Sequence, residues 1–458
     1  MKVCVIGTGY VGLVTGVNLA EIGHHVICVD KDKGKIKLLL DNIIPIYEPG
    51  LDKLVLKNIK TENLFFSTDI PKAIRSQDII FICVGTPPLP DGSVDLKYVE
   101  EVAREIGSNL NGYKIIVNKS TVPIGSGDWV SMLINDNIKD PTLKSINNHQ
   151  SQSGFDVVSN PEFLREGTAI SDTFFPDRVV LGSASKKAID IMRKLYEPII
   201  NQKFEIMDIQ FDPKNSQVVP VVETDLVSAE MIKYAANSFL ANKISFINEI
   251  ANICEKAGAD IEMVASGIGL DSRIGTKFLK AGIGWGGSCF PKDISALTKI
   301  ASEYGLNSRL LNEVINVNME QRLKVVQKSQ EILKIIKGKT IGFLGISFKP
   351  NTDDTRDAPA IAIMNNLVNL GAKVKAYDPI VKKSPETLNT QVTVCNNVEN
   401  IFEDSDLIIL ATEWEEFKNL DYKKLGDLMH DRNIIDGRNF LPKNEIQEIG
   451  YRYVGIGR

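Results

Sequence analysis

Six residues, Gly7-Thr8-Gly9-Tyr10-Val11-Gly12, constrain the fold of this chain more than any other feature. They follow an apolar run, Lys2 to Gly7, that reads as a buried strand. They open the stretch Tyr10 to Gly23, which reads as a helix. In that setting Gly7 permits a tight turn, Gly9 lets backbone approach a pyrophosphate, and Gly12 lets the helix pack on the sheet. The helix N-terminus then faces the phosphates. His25 to Asp30 reads as the second strand and ends on a carboxylate at the spacing expected for a ribose contact. A carboxylate there repels a 2′-phosphate, so NAD is favoured over NADP, an inference that Lys31 blunts slightly.

Alternation of strand and helix patterns continues through the first third. Leu64 to Ser67, Ile79 to Val84 and Lys114 to Asn118 read as strands, with amphipathic stretches such as Leu96 to Leu110 between them. This predicts a parallel sheet of βαβ units. From about Asp225 to Ile300 the character changes. Ser228 to Ala257 is a long helical pattern without proline, suited to a domain connector, a dimer interface or an ordinary core helix. The last third returns to alternation at Lys339 to Gly345, Lys373 to Tyr377, Leu407 to Ala411 and Asn433 to Asp436, with helical patterns such as Ile361 to Leu370. It weakly repeats the first: KVCVIGTG pairs with KTIGFLGI, VICVD with VKAYD, and DIIFICVGTP with DLIILATEW. The expected fold is α/β, with two Rossmann-like doubly wound domains joined by a helical middle domain with a long central helix. The expected boundaries are 1–212, 213–312 and 313–458, in keeping with about 150 residues per domain.

Charge and composition exclude several functions. The 53 basic and 58 acidic residues leave a net charge of −5, a poor footprint for a nucleic-acid binder. There are only four histidines, and none of the six cysteines forms a CxxC pair, so no metal site is expected. Cysteines this sparse point to a reducing cytoplasm rather than a disulfide scaffold. The start, MKVCVIGTGYVG, lacks the longer apolar region of a signal peptide, and no apolar run reaches about 18 residues, so no membrane is expected. Lys139 to Gly154 is polar and without period, and reads as a surface loop with no chemistry.

One cysteine differs from the rest. Gly284-Trp285-Gly286-Gly287-Ser288-Cys289-Phe290-Pro291-Lys292-Asp293 places Cys289 just before a helix, with Pro291 in its first turn. The helix dipole and Lys292 there favour the thiolate, the nucleophilic form. Lys233 and Asn237 lie four apart on the long helix and share a face, a donor pair for a developing oxyanion. Read alone, that spacing also fits a solvated helix face. Ser159 to Thr168 carries Glu162 and Glu166 beside an Asn-Pro turn, equally compatible with a capped helix bearing surface acids. Gly85-Thr86-Pro87-Pro88 and Ser120-Thr121-Val122-Pro123 follow strand ends, where ligands gather in such sheets.

Taken together, GTGYVGLVTG, VGTPP, STVP, SNPEFLREGTAI, PDRVVLG, AEMIKYAANSFLANKISFINE, DSRIG, FLKAGIGWGGSCFPKD, SFKPNTDDTRDAPA and IDGR resemble the nucleotide-sugar dehydrogenases of the UDP-glucose/GDP-mannose dehydrogenase family. The resemblance runs from Met1 to about Arg438 and is broken mainly by the polar loop. It implies oxidation of the C6 alcohol of UDP-glucose to UDP-glucuronate with two NAD and one water. By position in these motifs, the resemblance makes Cys289 the nucleophile, which forms a thiohemiacetal and then a thioester. It makes Lys233 and Asn237 the oxyanion partners. Asp293 and Thr121 become holders of the catalytic water, and Glu162 an acid/base. Cofactor positions would be Gly7, Gly9, Tyr10, Val11, Gly12, Asp30, Lys35, Thr86, Thr121, Glu166, Lys292 and Arg356. Substrate positions would be Glu162, Phe163, Leu164, Glu166, Lys233, Asn237, Phe278, Leu279, Lys280, Gly282, Gly286, Phe348, Lys349 and Arg438. Arg273 would reach a second subunit's site, which implies a homodimer.

Three alternatives stand beside this reading. A sibling enzyme would act on GDP-mannose or a UDP-N-acetylhexosamine, although PEFLREGTA and FLKAGIGWGGSCFPKD look more like the UDP-glucose branch. A two-electron hydroxyacid dehydrogenase would need neither Cys289 nor a second Rossmann-like domain. A non-catalytic NAD sensor would leave the cysteine loop without a purpose.

Overall fold

The computed structural model describes residues 1–144, 154–206 and 218–458. The expected boundary at 212/213 and most of the polar loop, 145–153, lie outside the described residues. The chain divides into two compact units, Met1–Ala235 and Ala236–Arg458. The division falls within one continuous helix, Leu226–Ala257, of 32 residues.

Among the described residues the first unit is built on eight strands: β1 (Lys2–Ile6), β2 (His25–Val29), β3 (Leu64–Ser67), β4 (Ile79–Ile82), β5 (Lys114–Asn118), β6 (Phe155–Ser159), β7 (Val179–Gly182) and β8 (Val221–Thr224). Their order is β3-β2-β1-β4-β5-β6-β7-β8. Among these described strands only β6 and β7 pair antiparallel. Alternate residues of β1 feed different cores. Val3 and Val5 pack on one face, Cys4 and Ile6 on the other, so both faces are covered and the strand reads as a continuous apolar run. The order reverses beside β1, which opens a crevice beyond the carboxyl ends of β1 and β4. Strands β6 to β8 extend the sheet past those expected from alternation. Val221–Thr224 is a half-exposed edge strand and Val179–Gly182 a four-residue apolar run, and such segments carry no strand period of their own.

The second unit carries six parallel strands: β9 (Thr340–Leu344), β10 (Lys373–Tyr377), β11 (Thr393–Val394), β12 (Leu407–Leu410), β13 (Asn433–Asp436) and β14 (Arg452–Val454). Their order, β11-β10-β9-β12-β13-β14, repeats that of the first six strands of the other unit. The weak sequence repeat is therefore a repeat of architecture. The correspondence extends to hydrogen bonds. Gly7 and Gly345 both have φ +103. Gly7 N donates to Val29 O, and Gly345 N to Tyr377 O, each at 2.8 Å. Thr8 N meets Asp30 at 2.8 Å, and Ile346 N meets Asp378 at 2.9 Å.

The two carboxylates then diverge. Asp378 is fully buried and also accepts from Ser347, Ile380, Val381 and the Trp414 indole. It has no face left for a ribose, and Ser347 and Pro350 stand where the first turn has its second and third glycines, Gly9 and Gly12. The glycine fingerprint thus works once in this chain, although the sheet occurs twice.

The helical segment and the second sheet share one core. Ile247, Ala251, Ile261, Leu279 and Val325 pack in the same cluster as Ile341, Phe343, Ile363 and Met364. Among the described residues no helix is long and apolar enough to cross a membrane.

Candidate active site

In the first unit, the glycine turn is shaped for a pyrophosphate. A Cβ on Gly12 would lie 1.9 Å from Gly7 O, whereas the position of a Cβ on Gly9 faces open space. Gly12 is thus required by packing, and Gly9 leaves backbone accessible to a ligand. Asp30 accepts from Thr8 N, from Thr8 Oγ1 at 2.9 Å and from Asp32 N at 3.0 Å. Burial alone would raise its pKa, but these donors outweigh it and hold the carboxyl below its ordinary range. Asp30 is therefore a half-buried anion at the end of β2. Lys35 lies exposed on the next helix, Lys33–Leu40.

Tyr10 and Glu48 brace the segment that carries Glu166. The Tyr10 hydroxyl donates to Glu48, which also accepts from Gly167 N at 2.6 Å and Ala169 N at 2.7 Å. Burial nevertheless pushes the Glu48 carboxyl up. Glu48 was not anticipated from sequence, because a lone acid in a loop has no period to betray it. The strand ends are tied together as well: Thr86 Oγ1 donates to Thr121 O at 3.0 Å, and Ser120 Oγ to Val84 O at 2.7 Å.

Lys233 and Glu162 form a buried ion pair. Lys233 Nζ lies 2.9 Å from Glu162 Oε1 and 2.6 Å from Glu162 O, with side-chain exposures of 4% and 7%. Leu164 N donates to the other carboxylate oxygen at 2.9 Å. The Phe163 ring lies 5.4 Å from Lys233 Nζ and 3.5 Å from the Arg178 guanidinium. A second cation, Lys119, stands nearby. Part of its side chain reaches the surface, but its ammonium end is enclosed. Nζ donates to Asn160 Oδ1 at 3.1 Å, which the Tyr196 hydroxyl also approaches at 2.7 Å. Burial pulls Lys119 down to about 8, opposed by Glu162 and reinforced by Lys233. Its place immediately before Ser120-Thr121 was the one available signal for it.

In the second unit, Cys289 caps the helix Phe290–Glu303, with Pro291 in the first turn. It is the exposed one of the six cysteines, and the other five are buried. One turn on, Asp293 is 0% exposed, accepting from Asn237 Nδ2 at 2.5 Å and Lys292 Nζ at 2.6 Å. Its amide donates to Cys289 O at 2.9 Å. The loop before the thiol is rigidly held. Asn318 bonds both N and O of Trp285, Gln321 donates to Gly282 O, and Asn248 accepts from Gly282 N. A Cβ on Gly286 would lie 2.3 Å from Asp357 O, and one on Gly287 2.8 Å from the Phe348 ring.

Arg438 stitches this loop to the second sheet. Its guanidinium donates to Ala411 O at 2.9 Å, Gly284 O at 3.2 Å and Phe348 O at 3.3 Å. Lys349 lies 5.3 Å from the Phe348 ring. Phe278 adopts φ +64, Leu279 is in the core, and Lys280 is exposed. Arg273 and Arg356 are each paired with a near neighbour, Asp271 at 2.6 Å and Asp354 at 2.8 Å.

A glycine turn with an ionised strand-end carboxylate, in a chain that also presents an exposed thiol at a helix N-cap position, defines a nucleotide-dependent dehydrogenase layout. Three profiles of the UDP-glucose/GDP-mannose dehydrogenase family match: the NAD binding domain over residues 1–200, the central domain over 227–320 and the UDP binding domain over 342–443. The UDP-glucose 6-dehydrogenase TuaD of Bacillus subtilis is 50% identical over the whole chain and 93% of its own length. The UDP-glucose 6-dehydrogenase of Rhizobium meliloti is 43% identical over the full length of both. The solved UDP-glucose dehydrogenase of the hyperthermophilic archaeon Pyrobaculum islandicum superposes with a TM-score of 0.87 at 33% identity, covering 100% of this chain and 98% of that one. This chain belongs to the UDP-glucose/GDP-mannose dehydrogenase family.

Proposed function

We propose that the chain oxidises the C6 alcohol of UDP-glucose to the carboxylate of UDP-glucuronate, with NAD as oxidant. The exposed Cys289 at the head of its helix carries this reading, because a four-electron oxidation must retain an aldehyde midway. Relatives bearing the UDP-glucose 6-dehydrogenase name at 50% and 43% identity set the substrate. The three parts 1–212, 213–312 and 313–458 then serve NAD, chemistry with assembly, and the uridine diphosphate. We place the enzyme in the cytoplasm.

The residues present fit NAD: Gly9 offers open backbone, and Asp30 a carboxylate for the ribose. When bound, NAD takes up hydride from C6, once from the alcohol and once from the captured aldehyde. Glu162 and Lys233 share the buried pair that accepts the alcohol proton and steadies the oxyanion. Cys289 sulfur adds to the aldehyde carbon, and loss of hydride from that carbon leaves a thioester. Water held by Thr121 and Asp293 then bonds to the carbonyl carbon. The C–S bond breaks, sulfur departs as thiolate, and the carboxylate forms with release of protons to solvent. Lys280, Lys349 and Arg438 supply cations for the diphosphate in a chain of net negative charge.

Counting NADH tests the reading. Two NADH per UDP-glucose are expected, with slower turnover of GDP-mannose and UDP-N-acetylhexosamines. One NADH, or faster turnover of another nucleotide sugar, would overturn it. Asp30→Ser removes the anion that repels a 2′-phosphate, and is expected to narrow the NAD over NADP preference by about tenfold or more, by comparison of kcat/KM.

We further read the chain as a homodimer. Phe239, Phe246 and Ile253 are exposed by 63%, 48% and 57% along the long helix. Their heptad spacing keeps them near one face, the arrangement of a helix that pairs with its copy. Arg273 is then placed to serve the second subunit.

A further inference from the structure

We propose that the small cavity lined by Asn118, Thr121 and Glu230 is a built water site that serves the hydrolytic half of the reaction, with Asn118 and Glu230 as its positioning residues. The inference rests on the covalent reading above and deepens it.

Asn118, Ser120, Thr121, Ser159, Glu230 and Lys233 are among the residues lining this cavity. Asn118 is the last residue of β5, with Ile82 and Ser159 as its cross-strand partners on either side. Its carbonyl is satisfied by Asn160 N at 2.9 Å. Asn118 is 3% exposed, and neither amide atom has a hydrogen-bond partner among the described residues. A buried amide with both ends unmatched destabilises a fold unless something binds there. A water needs two to four polar partners, and Asn118, Thr121, Ser159 and Glu230 are polar residues among those that line this space. It lies at the carboxyl ends of the central strands, where ligands enter such sheets.

Glu230 sets the geometry of the wall. Its carboxylate accepts from Gly125 N at 2.7 Å and Gly127 N at 2.8 Å, the opening of the helix Ser126–Asn137. Ser159 Oγ adds a third contact at 3.3 Å. A Cβ on Gly127 would lie 3.0 Å from Leu226 and 3.3 Å from Glu230, so glycine there permits the close approach. Through these bonds the segment from Thr121 to Gly127 is fastened to the long helix one turn before Lys233. The binding and hydride-removal steps proposed above use neither Glu230 nor Asn118.

The test uses the full-length enzyme with UDP-glucose and excess NAD. Asn118→Leu keeps the side-chain volume and removes both amide atoms. Glu230→Gln keeps the shape but turns an NH2 toward a glycine N–H. In each variant both hydride removals are expected to proceed, so kcat/KM for UDP-glucose stays within about twofold. Hydrolysis is expected to slow, so kcat falls by about tenfold or more. An acyl adduct on Cys289 is then expected to accumulate, visible by intact-protein mass spectrometry. Either variant alone decides. Unchanged kcat with no adduct above the wild-type level would overturn the water site, and leaves the covalent reading standing if wild type yields two NADH. A wild-type enzyme that yields one NADH and never forms an adduct overturns both.

Discussion

Cys289→Ser is expected to bind UDP-glucose and NAD normally and to lose net oxidation by about a thousandfold or more, or roughly 4 kcal/mol of barrier. The reason is the acidity of the attacking atom. Cys289 sits at the N-cap of a 14-residue helix, where the dipole favours an anion. Asp293 in the first turn would oppose that, but Lys292 and Asn237 already occupy its two oxygens, at 2.6 and 2.5 Å. A thiol at this point is the stronger nucleophile, and a serine hydroxyl in its place stays protonated near neutral pH. Without covalent capture, the aldehyde is free to leave or hydrate. Steady-state NADH formation with calorimetric binding of each ligand checks this. Near-normal turnover would refute the covalent step.

Lys233→Met is expected to cost both activity and stability, and the two losses can be separated. The Lys233–Glu162 pair is almost fully buried, at 4% and 7% exposure. Removing the cation strands a carboxylate in a low-dielectric setting, at a cost of about 3–5 kcal/mol in unfolding free energy. Under the proposed mechanism it also removes a donor from a developing oxyanion, which is expected to lower kcat by about 10²–10³-fold. Replacing both partners, as Lys233→Met with Glu162→Leu, removes the stranded charge. The double variant should regain most of the stability in urea unfolding and none of the activity. If activity returned with stability, the ion pair would be a packing feature only.

Much of the site was legible because its residue types are locally unusual. GTGYVG between a strand and a helix, and a cysteine before Phe-Pro-Lys-Asp, can each be read within about ten residues. Four of the other cysteines, Cys4, Cys28, Cys83 and Cys254, lie in apolar patterns, Cys395 is ambiguous by pattern, and all five are buried. The pairing of Lys233 with Glu162 was not legible. The two are 71 residues apart, and four-residue spacing pointed from Lys233 to Asn237 instead. In the structure each of these two side chains meets a carboxylate, Glu162 and Asp293 respectively. Glu48, Asn118 and Glu230 were missed because a single polar residue in a loop, a strand end or a helix has no local pattern. Its importance comes from distant backbone groups that converge on it.

The sheet order was half legible. The repeat of KVCVIGTG in KTIGFLGI foretold two sheets of one design, and both follow the same order over six strands. It could not foretell that Asp378 would be sealed by Trp414 and Ser347 while Asp30 stayed half open.

Sequence by itself determined the strand-helix alternation, the single working glycine turn and the identity of the exposed thiol, because each depends on backbone preferences and periodicity within a few neighbours. Only tertiary structure decided which carboxylate pairs with which cation, and which of two equivalent aspartates remains available. Those outcomes depend on desolvation and on hydrogen bonds between segments tens to hundreds of residues apart, and no local pattern encodes them.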